Sequence, residues 1–382
     1  MKMLDWLIIG AGVHGLHVAA RLRRRGFALR LLDPHPRPLA EWDRRAEALA
    51  MTHLRSPLDQ DLDVGELSLH HFSHAQPRLE PGVFAGPCRA PSLDLFRRHV
   101  EWIRARLGLD ALLERGTATG LELVDRGVRV DSDRGSLVAR RVILAVGPPQ
   151  TCVPAWAVPI GGAALHVFDP EFDRSLPTSS AVVVGGGLSA VQLALHWARA
   201  RPGATTLICR RPPPIAELDA ASRWARPRCP WRFASIPLAG RLAMLDAETR
   251  RGSVPPRVAA RLTRAQRRGS LRIVIGEIAD GRRDAAELLV TLGDHSTLRC
   301  RRLALATGFA PNFERVPLLD TVTEELGLER GPLALPVLDE RLRWHPRIHV
   351  VGSAARLSLG PLAANIAGAR LAALRLDGLA AP

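Results

Sequence analysis

The chain has 382 residues, 47% of them hydrophobic and 24% charged. That is close to globular averages, with no segment polar enough to stay unfolded, and its length suits two domains better than one core. The formal net charge is +15, almost all of it from arginine, with Lys2 the single lysine and no tyrosine; the arginines stand in short scattered groups without interleaved aromatics, which argues against a nucleic-acid surface and for attraction of small anions such as phosphate-bearing cofactors.

The N-terminal apolar run, residues 6–13, follows Asp5 and carries glycines in a fixed pattern, unlike a signal peptide. Residues 6–9 read as a buried parallel strand, 16–25 as a helix and 27–32 as a second strand. Between strand and helix stand Gly10, Gly12 and Gly15, the G-x-G-x-x-G spacing. The first glycine permits a tight turn, the second lets backbone approach a pyrophosphate, and the third allows close helix-to-strand packing, so that the pyrophosphate rests on the N–H groups at the helix start. Asp33 ends the second strand 18 positions after Gly15, where a carboxylate accepts hydrogen bonds from ribose hydroxyls and repels a 2′-phosphate. This cradle therefore selects FAD or NAD over NADP.

Residues 120–138 alternate short apolar runs with turn residues and read as a three-stranded antiparallel meander. The stretch Arg140-Arg141-Val142-Ile143-Leu144-Ala145-Val146-Gly147-Pro148 follows, a buried strand ending in a glycine turn. In an open parallel sheet the ligand lies beyond the carboxyl ends of the strands, so Gly147 is placed to face the nucleotide without an obstructing side chain.

A second unit repeats the plan. Residues 181–184 form a β-branched strand that runs into Gly185 and Gly187, with Ala190 in the third slot and Ser189 in the first helical turn. This apolar stretch, 181–195, is broken by three glycines, Ser189 and Gln192 and is no membrane span. Strand 205–209 ends at Arg210 and Arg211, where the first unit has Asp33. Two guanidiniums there suit a ribose 2′-phosphate and indicate NADPH; the competing reading is that they are exposed strand-end charges. A second meander is expected over residues 271–298, and the nonapeptide Arg301-Arg302-Leu303-Ala304-Leu305-Ala306-Thr307-Gly308-Phe309 echoes the first closing stretch. Strand, cradle, helix, strand, meander and closing strand thus occur twice, an internal repeat at the scale of a domain.

The two glycine fingerprints with Asp33 and Arg210, together with the Leu305-Ala306-Thr307-Gly308-Phe309 turn, resemble flavoproteins with two dinucleotide-binding domains. Within them the chain resembles class B flavin monooxygenases, nearest the N-hydroxylating lysine and ornithine monooxygenases. The resemblance implies an α/β fold of two Rossmann-like domains, each with a parallel sheet and an antiparallel β-meander. FAD would lie on the first and NADPH on the second, with Thr307 and Gly308 closing the NADPH side. It implies NADPH-dependent oxygenation of a nucleophilic nitrogen of a small amine or amino acid by O₂, through a flavin C4a-hydroperoxide. Such chemistry makes few demands on a catalytic acid or base. Residues 52–57, containing His53 and Leu54, resemble the segment that passes the flavin, and His53 and Asn365 are the polar residues expected nearest it. A G-D pair that contacts the ribityl chain in relatives is Gly352-Ser353 here. The chain looks short for the lysine and ornithine enzymes, so part of their amino-acid pocket is expected to be missing.

The expected division is 1–158 and 311–382 for the FAD domain and 159–310 for an inserted NADPH domain. Residues 217–251, with Trp224, Trp231 and Phe233 among prolines, leave the repeat pattern: they read either as a substrate-specificity segment or as a cap whose aromatics pack on the NADPH domain. The five cysteines, Cys88, Cys152, Cys209, Cys229 and Cys300, have neither C-x-x-C nor metal-ligand spacing. That argues against a disulfide reductase and for a reducing compartment, hence a cytoplasmic protein with no metal. His70, His71 and His74 read as surface residues. The alternatives are an NADPH oxidase or reductase, and a non-catalytic flavoprotein sensor or assembly partner.

Overall fold

A strand buried on both faces needs apolar side chains throughout, and the two glycine cradles are each flanked by such runs. The computed structural model describes residues 3–65, 67–76, 81–175 and 179–376. The first third forms β1 (Leu4–Ile9), α1 (Val13–Arg24), β2 (Leu29–Asp33), α2 (Ala40–Ala48), α3 (Ser68–His74), the short β3 (Phe84–Ala85) and β4 (Ala90–Pro91), and α4 (Leu93–Leu107). It continues through β5 (Leu113–Arg115), β6 (Ala118–Val124), β7 (Gly127–Ser132) and β8 (Gly135–Leu144). The middle third forms β9 (Ala164–His166), β10 (Ala181–Val184), α5 (Leu188–Ala200), β11 (Thr205–Cys209), α6 (Arg228–Ala234), α7 (Leu238–Glu248) and α8 (Pro256–Arg267). Then come β12 (Leu271–Ile275), β13 (Ile278–Asp284), β14 (Glu287–Leu292), β15 (Thr297–Cys300) and β16 (Arg302–Leu305). The last part is α9 (Pro317–Leu326), β17 (Arg343–His345), β18 (Ile348–Val350), α10 (Arg356–Leu359) and α11 (Ile366–Leu376).

The first sheet runs β17-β18-β8-β1-β2-β5, and the second β12-β11-β10-β16-β9. From β18 to β5 and throughout the second sheet the pairing is parallel. In both, the closing strand lies directly beside the cradle strand: Ile9 pairs with Leu144 and Val184 with Leu305. That adjacency explains why the chain repeats the nonapeptide, since each copy must fill one buried slot and then turn beside a glycine cradle. The first sheet is covered by α1, α4 and α11 in one large core that also takes in Trp6, Phe27 and Phe96. The second has α5 and α8 on one face and the meander with residues 155–163 on the other.

The meanders differ from expectation in two respects. In the first, β8 is a single ten-residue strand that pairs antiparallel with β7 at its start and parallel with β1 at its end, so meander and closing strand are continuous. In the second, residues 271–275 pair parallel with β11 at the sheet edge, and the meander is β13-β14-β15. The apolar alternation of β12 reads equally well as either role; only the partner strand decides. The expected helix 16–25 begins earlier, at Val13, because Gly12 is its N-cap.

The two segments that cross between the sheets lie side by side. Thr151 and Phe309 form an antiparallel bridge, Cys152 N–H donates to Gly308 O at 2.9 Å and Ala310 N–H to Gln150 O at 2.8 Å. The Phe309 ring stacks on Phe168 at 5.5 Å, with the Arg45 guanidinium of α2 over both rings.

Candidate functional site

The first cradle is squeezed between carboxyl ends of strands. Gly10 has φ +104°, donates its N–H to Leu32 O at 2.8 Å, and leaves so little room that a β-carbon would stand 2.4 Å from Ala145 O. A β-carbon on Gly15 would lie 1.8 Å from Gly10 O. Gly12 is different: a β-carbon there meets no protein atom within 4 Å. It faces open space at the start of α1, where no side chain caps the helix and no acid occupies the first turn. Three glycines thus have two physical roles, close packing at Gly10 and Gly15 and access at Gly12. Uncapped N–H groups with the positive helix end behind them form an anion site.

Asp33 ends β2 with one oxygen accepting from Ala11 N–H at 2.7 Å and the other from His35 N–H at 2.9 Å and the His35 ring at 2.8 Å. The carboxylate therefore fixes the cradle loop and keeps an acceptor lone pair for a ligand hydroxyl. Gly147 follows β8, the strand on the other side of β1, with φ +82° and open space where a side chain would point. Its carbonyl accepts a 2.5 Å hydrogen bond from Ser353 Oγ, so the serine that replaces the expected acid ties the closing turn to the returning chain. Gly352, φ +81°, faces the His14 ring, and His14 Nε2 meets Ala363 O at 2.8 Å. Gly12 and Gly147 have open space where a side chain would point, whereas Gly10 and Gly15 are closed by backbone and Gly352 by the His14 ring.

His53, Leu54 and Asn365 each hydrogen-bond within the protein. His53 turns its ring to Gly82 O at 2.7 Å and to Thr52 Oγ1 at 3.2 Å. Leu54 is buried, and its N–H donates to Pro91 O at 2.9 Å. Asn365 Nδ2 donates to Asp219 Oδ2 at 3.1 Å.

The second cradle repeats the first. Gly185, φ +143°, donates to Ile208 O at 2.9 Å, and a β-carbon there would be 2.3 Å from Ala306 O and 3.2 Å from the Ala190 methyl. The Ala190 methyl in the third slot thus faces Gly185. Gly187 caps α5 with no side-chain partner, and Ser189 stands half-buried in the first turn, which holds no acid. Gly308 repeats Gly147 at φ +82° with open space beside it. The Thr307 hydroxyl donates to Cys152 O, so it braces the crossing segments.

Arg210 and Arg211 are both exposed and carry no hydrogen bond or ion pair among the described residues. Arg211 lines a cleft of about 700 Å³ with Pro214, Ile215, Asp246, Arg250 and Arg251. The far wall is a strap, residues 249–253, whose Gly252 Cα lies 3.6 Å from where a Gly187 β-carbon would be. Arg251 pairs with Asp246 at 2.8 Å, while the exposed Arg250 side chain has no such partner among the described residues. Sequence reasoning missed this strap as part of the cradle; the signal was the arginine pair before a glycine at 250–252.

Residues 217–251 form a cap, but their aromatics pack on the first fold and not on the second. Trp224 is buried against Gly360, where a β-carbon would come within 2.6 Å of its ring, and its Nε1 donates to Glu248 at 2.9 Å. Phe233 meets Trp224 edge-on at 5.4 Å. Arg375 of α11 donates to Pro230 O at 2.8 Å and covers the exposed Trp231 ring at 4.6 Å. The spacing of prolines and aromatics marks a cap without indicating which face it covers.

All five cysteines are free thiols, and no three His, Cys, Asp or Glu side chains converge as metal ligands among the described residues. The His70 and His74 rings approach each other at 3.2 Å on α3. No described helix is long and apolar enough to cross a membrane.

The family model described as pyridine nucleotide-disulphide oxidoreductase matches residues 70–370, and an NAD(P)-binding Rossmann-like domain matches residues 8–47. A search of curated proteins returned no match. Among solved structures the chain is similar to an ornithine N-hydroxylase from Kutzneria sp. 744, with TM-score 0.76, 15% identity and 98% of each chain covered. It is similar to ornithine hydroxylase from Pseudomonas aeruginosa, with TM-score 0.74, 16% identity and 98% of each chain covered. The FAD-bound cadaverine monooxygenase from Erwinia amylovora gives TM-score 0.74 at 18% identity over 98% of this chain and 94% of that one. At these identities the likeness is one of fold.

Proposed function

The chain belongs to the pyridine nucleotide-disulphide oxidoreductase family, and on that premise we propose that it is an NADPH-dependent, FAD-containing monooxygenase acting on a nucleophilic nitrogen of a small amine or amino acid. The observation that carries the cofactor pair is the contrast between two matching cradles: the first ends its second strand in Asp33, anchored to the loop, and the second in the free guanidiniums of Arg210 and Arg211. An acid beside a ribose tolerates hydroxyls, whereas arginine's planar fork suits a phosphate. FAD would rest on Gly10, Gly12, Gly15, Asp33, Gly147 and Gly352. NADPH would rest on Gly185, Gly187, Ser189, Ala190, Arg210, Arg211 and Gly308. In this reading residues 1–158 and 311–382 make the FAD domain, 159–310 the NADPH domain, and the five free thiols suit a cytoplasmic setting.

Bound FAD supplies the redox chemistry, accepting a hydride from NADPH and passing the electron pair to O₂. The protein's own groups bind and orient. The cradles set the two nucleotides, and the crossing segments at 150–152 and 308–310 hold one cradle against the other. Oxygenation balances as amine, O₂, NADPH and a proton giving hydroxylamine, NADP⁺ and water. The absence of a cysteine pair favours this over dithiol chemistry. The neighbours' substrates, ornithine and cadaverine, suggest the amines to try first.

The test is NADPH oxidation by the FAD-loaded protein with ornithine, lysine and cadaverine, scoring hydroxylated product against hydrogen peroxide. Product equal to NADPH consumed supports the proposal. Peroxide alone with every amine would favour an oxidase, and no turnover would favour a sensor.

A further inference from the structure

Arg55 lies in the segment that follows His53 and Leu54, and all five of its N–H donors are used. Nε donates to Glu217 O at 3.0 Å; Nη1 donates to Asp219 and to Ser253 O at 3.0 Å; Nη2 donates to Ala216 O at 2.7 Å and Ser253 Oγ at 2.8 Å. Five donors is the full complement of a guanidinium. The side chain is 12% exposed, and burial pulls it below the ordinary arginine range while Asp219 opposes that shift. Such a group is expensive to bury unless every donor is met.

Its partners come from distant parts of the chain. Ser253 belongs to the strap that lies beside Gly187, and Ser253 Oγ donates onward to Arg250 O at 2.7 Å. The Asp219 backbone carbonyl accepts Arg250 N–H at 2.7 Å, and Asp219 Oδ2, the carboxylate oxygen not taken by Arg55, accepts from Asn365 Nδ2, just before α11. Arg257 adds a parallel tie, Nη2 to Leu54 O at 2.9 Å. One side chain from the first fold thus fixes the strap at the second cradle and, through one carboxylate, the returning chain.

We propose that Arg55, with Asp219, is a positioning residue that holds the 249–253 strap in register with the first fold and so sets the affinity of the second cradle for NADP(H). This rests on the cofactor assignment above. Arg55 touches neither cradle glycine directly, so its effect reaches the nucleotide through Ser253 and Arg250. Lysine has three donors and no planar fork, and cannot replace it.

The experiment measures NADP⁺ and FAD dissociation constants on the purified full chain carrying Arg55→Lys, Asp219→Asn, Arg211→Ala or Arg250→Ala. Arg55→Lys and Asp219→Asn are each expected to weaken NADP⁺ binding about tenfold, a size typical of coupling between sites, while FAD affinity stays within about twofold. Arg55→Lys combined with Arg250→Ala should weaken binding by less than the product of the two single effects, because both act through one strap. NADP⁺ binding unchanged in Arg55→Lys and Asp219→Asn, or FAD affinity falling in step with it, overturns the proposal. If Arg55→Lys does not fold, Asp219→Asn decides alone. If Arg211→Ala and Arg250→Ala both leave NADP⁺ binding intact, the cofactor assignment itself fails; if they weaken it and the Arg55 and Asp219 variants do not, only the positioning role fails.

Discussion

Replacing Gly12 by alanine separates ligand access from folding. The added methyl group meets no protein atom within 4 Å, and φ at Gly12 is −73°, a value any residue adopts. Alanine is a poorer N-cap than glycine, costing about 1 kcal/mol or less, while a stiffer unfolded chain returns about 0.4–1 kcal/mol, so stability should barely move. If a pyrophosphate rests on this turn, the methyl displaces it and at least one charge-assisted hydrogen bond is lost, about 1.5–3 kcal/mol or roughly 10- to 100-fold in FAD affinity. FAD titration by fluorescence, beside thermal unfolding of the flavin-free protein, measures both quantities. Gly15→Ala is the control: its β-carbon would sit 1.8 Å from Gly10 O, so the helix must separate from the strand and soluble yield should collapse. FAD binding within threefold of wild type in a folded Gly12→Ala protein would refute the placement of the pyrophosphate on α1.

At the second cradle, Arg211→Ala should raise KM for NADPH about 10- to 100-fold and leave NADH use unchanged, since only the 2′-phosphate contact is removed; equal loss with both cofactors would sink the assignment. Trp224→Ala should destabilise the protein by about 3–5 kcal/mol, measured by denaturant unfolding, because the ring fills the core under Gly360. The buried rings of His17, His99, His166 and His349 are each held down to about 4, mainly by desolvation. Their folded pKa lies below the unfolded one, so their contribution is complete above pH 6.5 and is lost as pH falls toward 4, at ~1 kcal/mol per ring by pH 5.5. Burial raises Asp61 to about 6; the folded state takes up its proton first, which offsets part of the loss over the same range. Melting temperature should fall steeply below pH 6, and a flat profile from pH 7 to 5 would contradict the burial of these rings.

Much of the architecture is carried locally and is therefore legible in the chain. Gly10 and Gly185 occupy backbone conformations and close approaches that only glycine allows, so their spacing predicts both cradles. The charge at the end of each second strand is equally local, and Asp33 and Arg210 could be read without a structure. The echoed nonapeptides predict two buried strands, because each fills the same slot beside a cradle strand.

Strand partnership and packing direction are non-local, and there sequence reasoning stops. The apolar pattern of 271–275 is the same for an edge strand of a parallel sheet as for a meander, and its pairing with β11 decides between them. Trp224 and Phe233 announce a buried cap, yet whether they lean on the second fold or the first depends on where the returning helices lie. The partners of His53 and Asn365, Gly82 O and the Asp219 carboxylate, are likewise non-local. By itself the sequence determined two glycine turns whose second strands end in side chains of opposite charge, because glycine sterics and charge act within a few residues. Only the tertiary structure decided how they are joined: Arg55, Ser253 and Asn365 are separated by more than a hundred positions each, and no periodicity reports a hydrogen bond that folding alone brings within 3 Å.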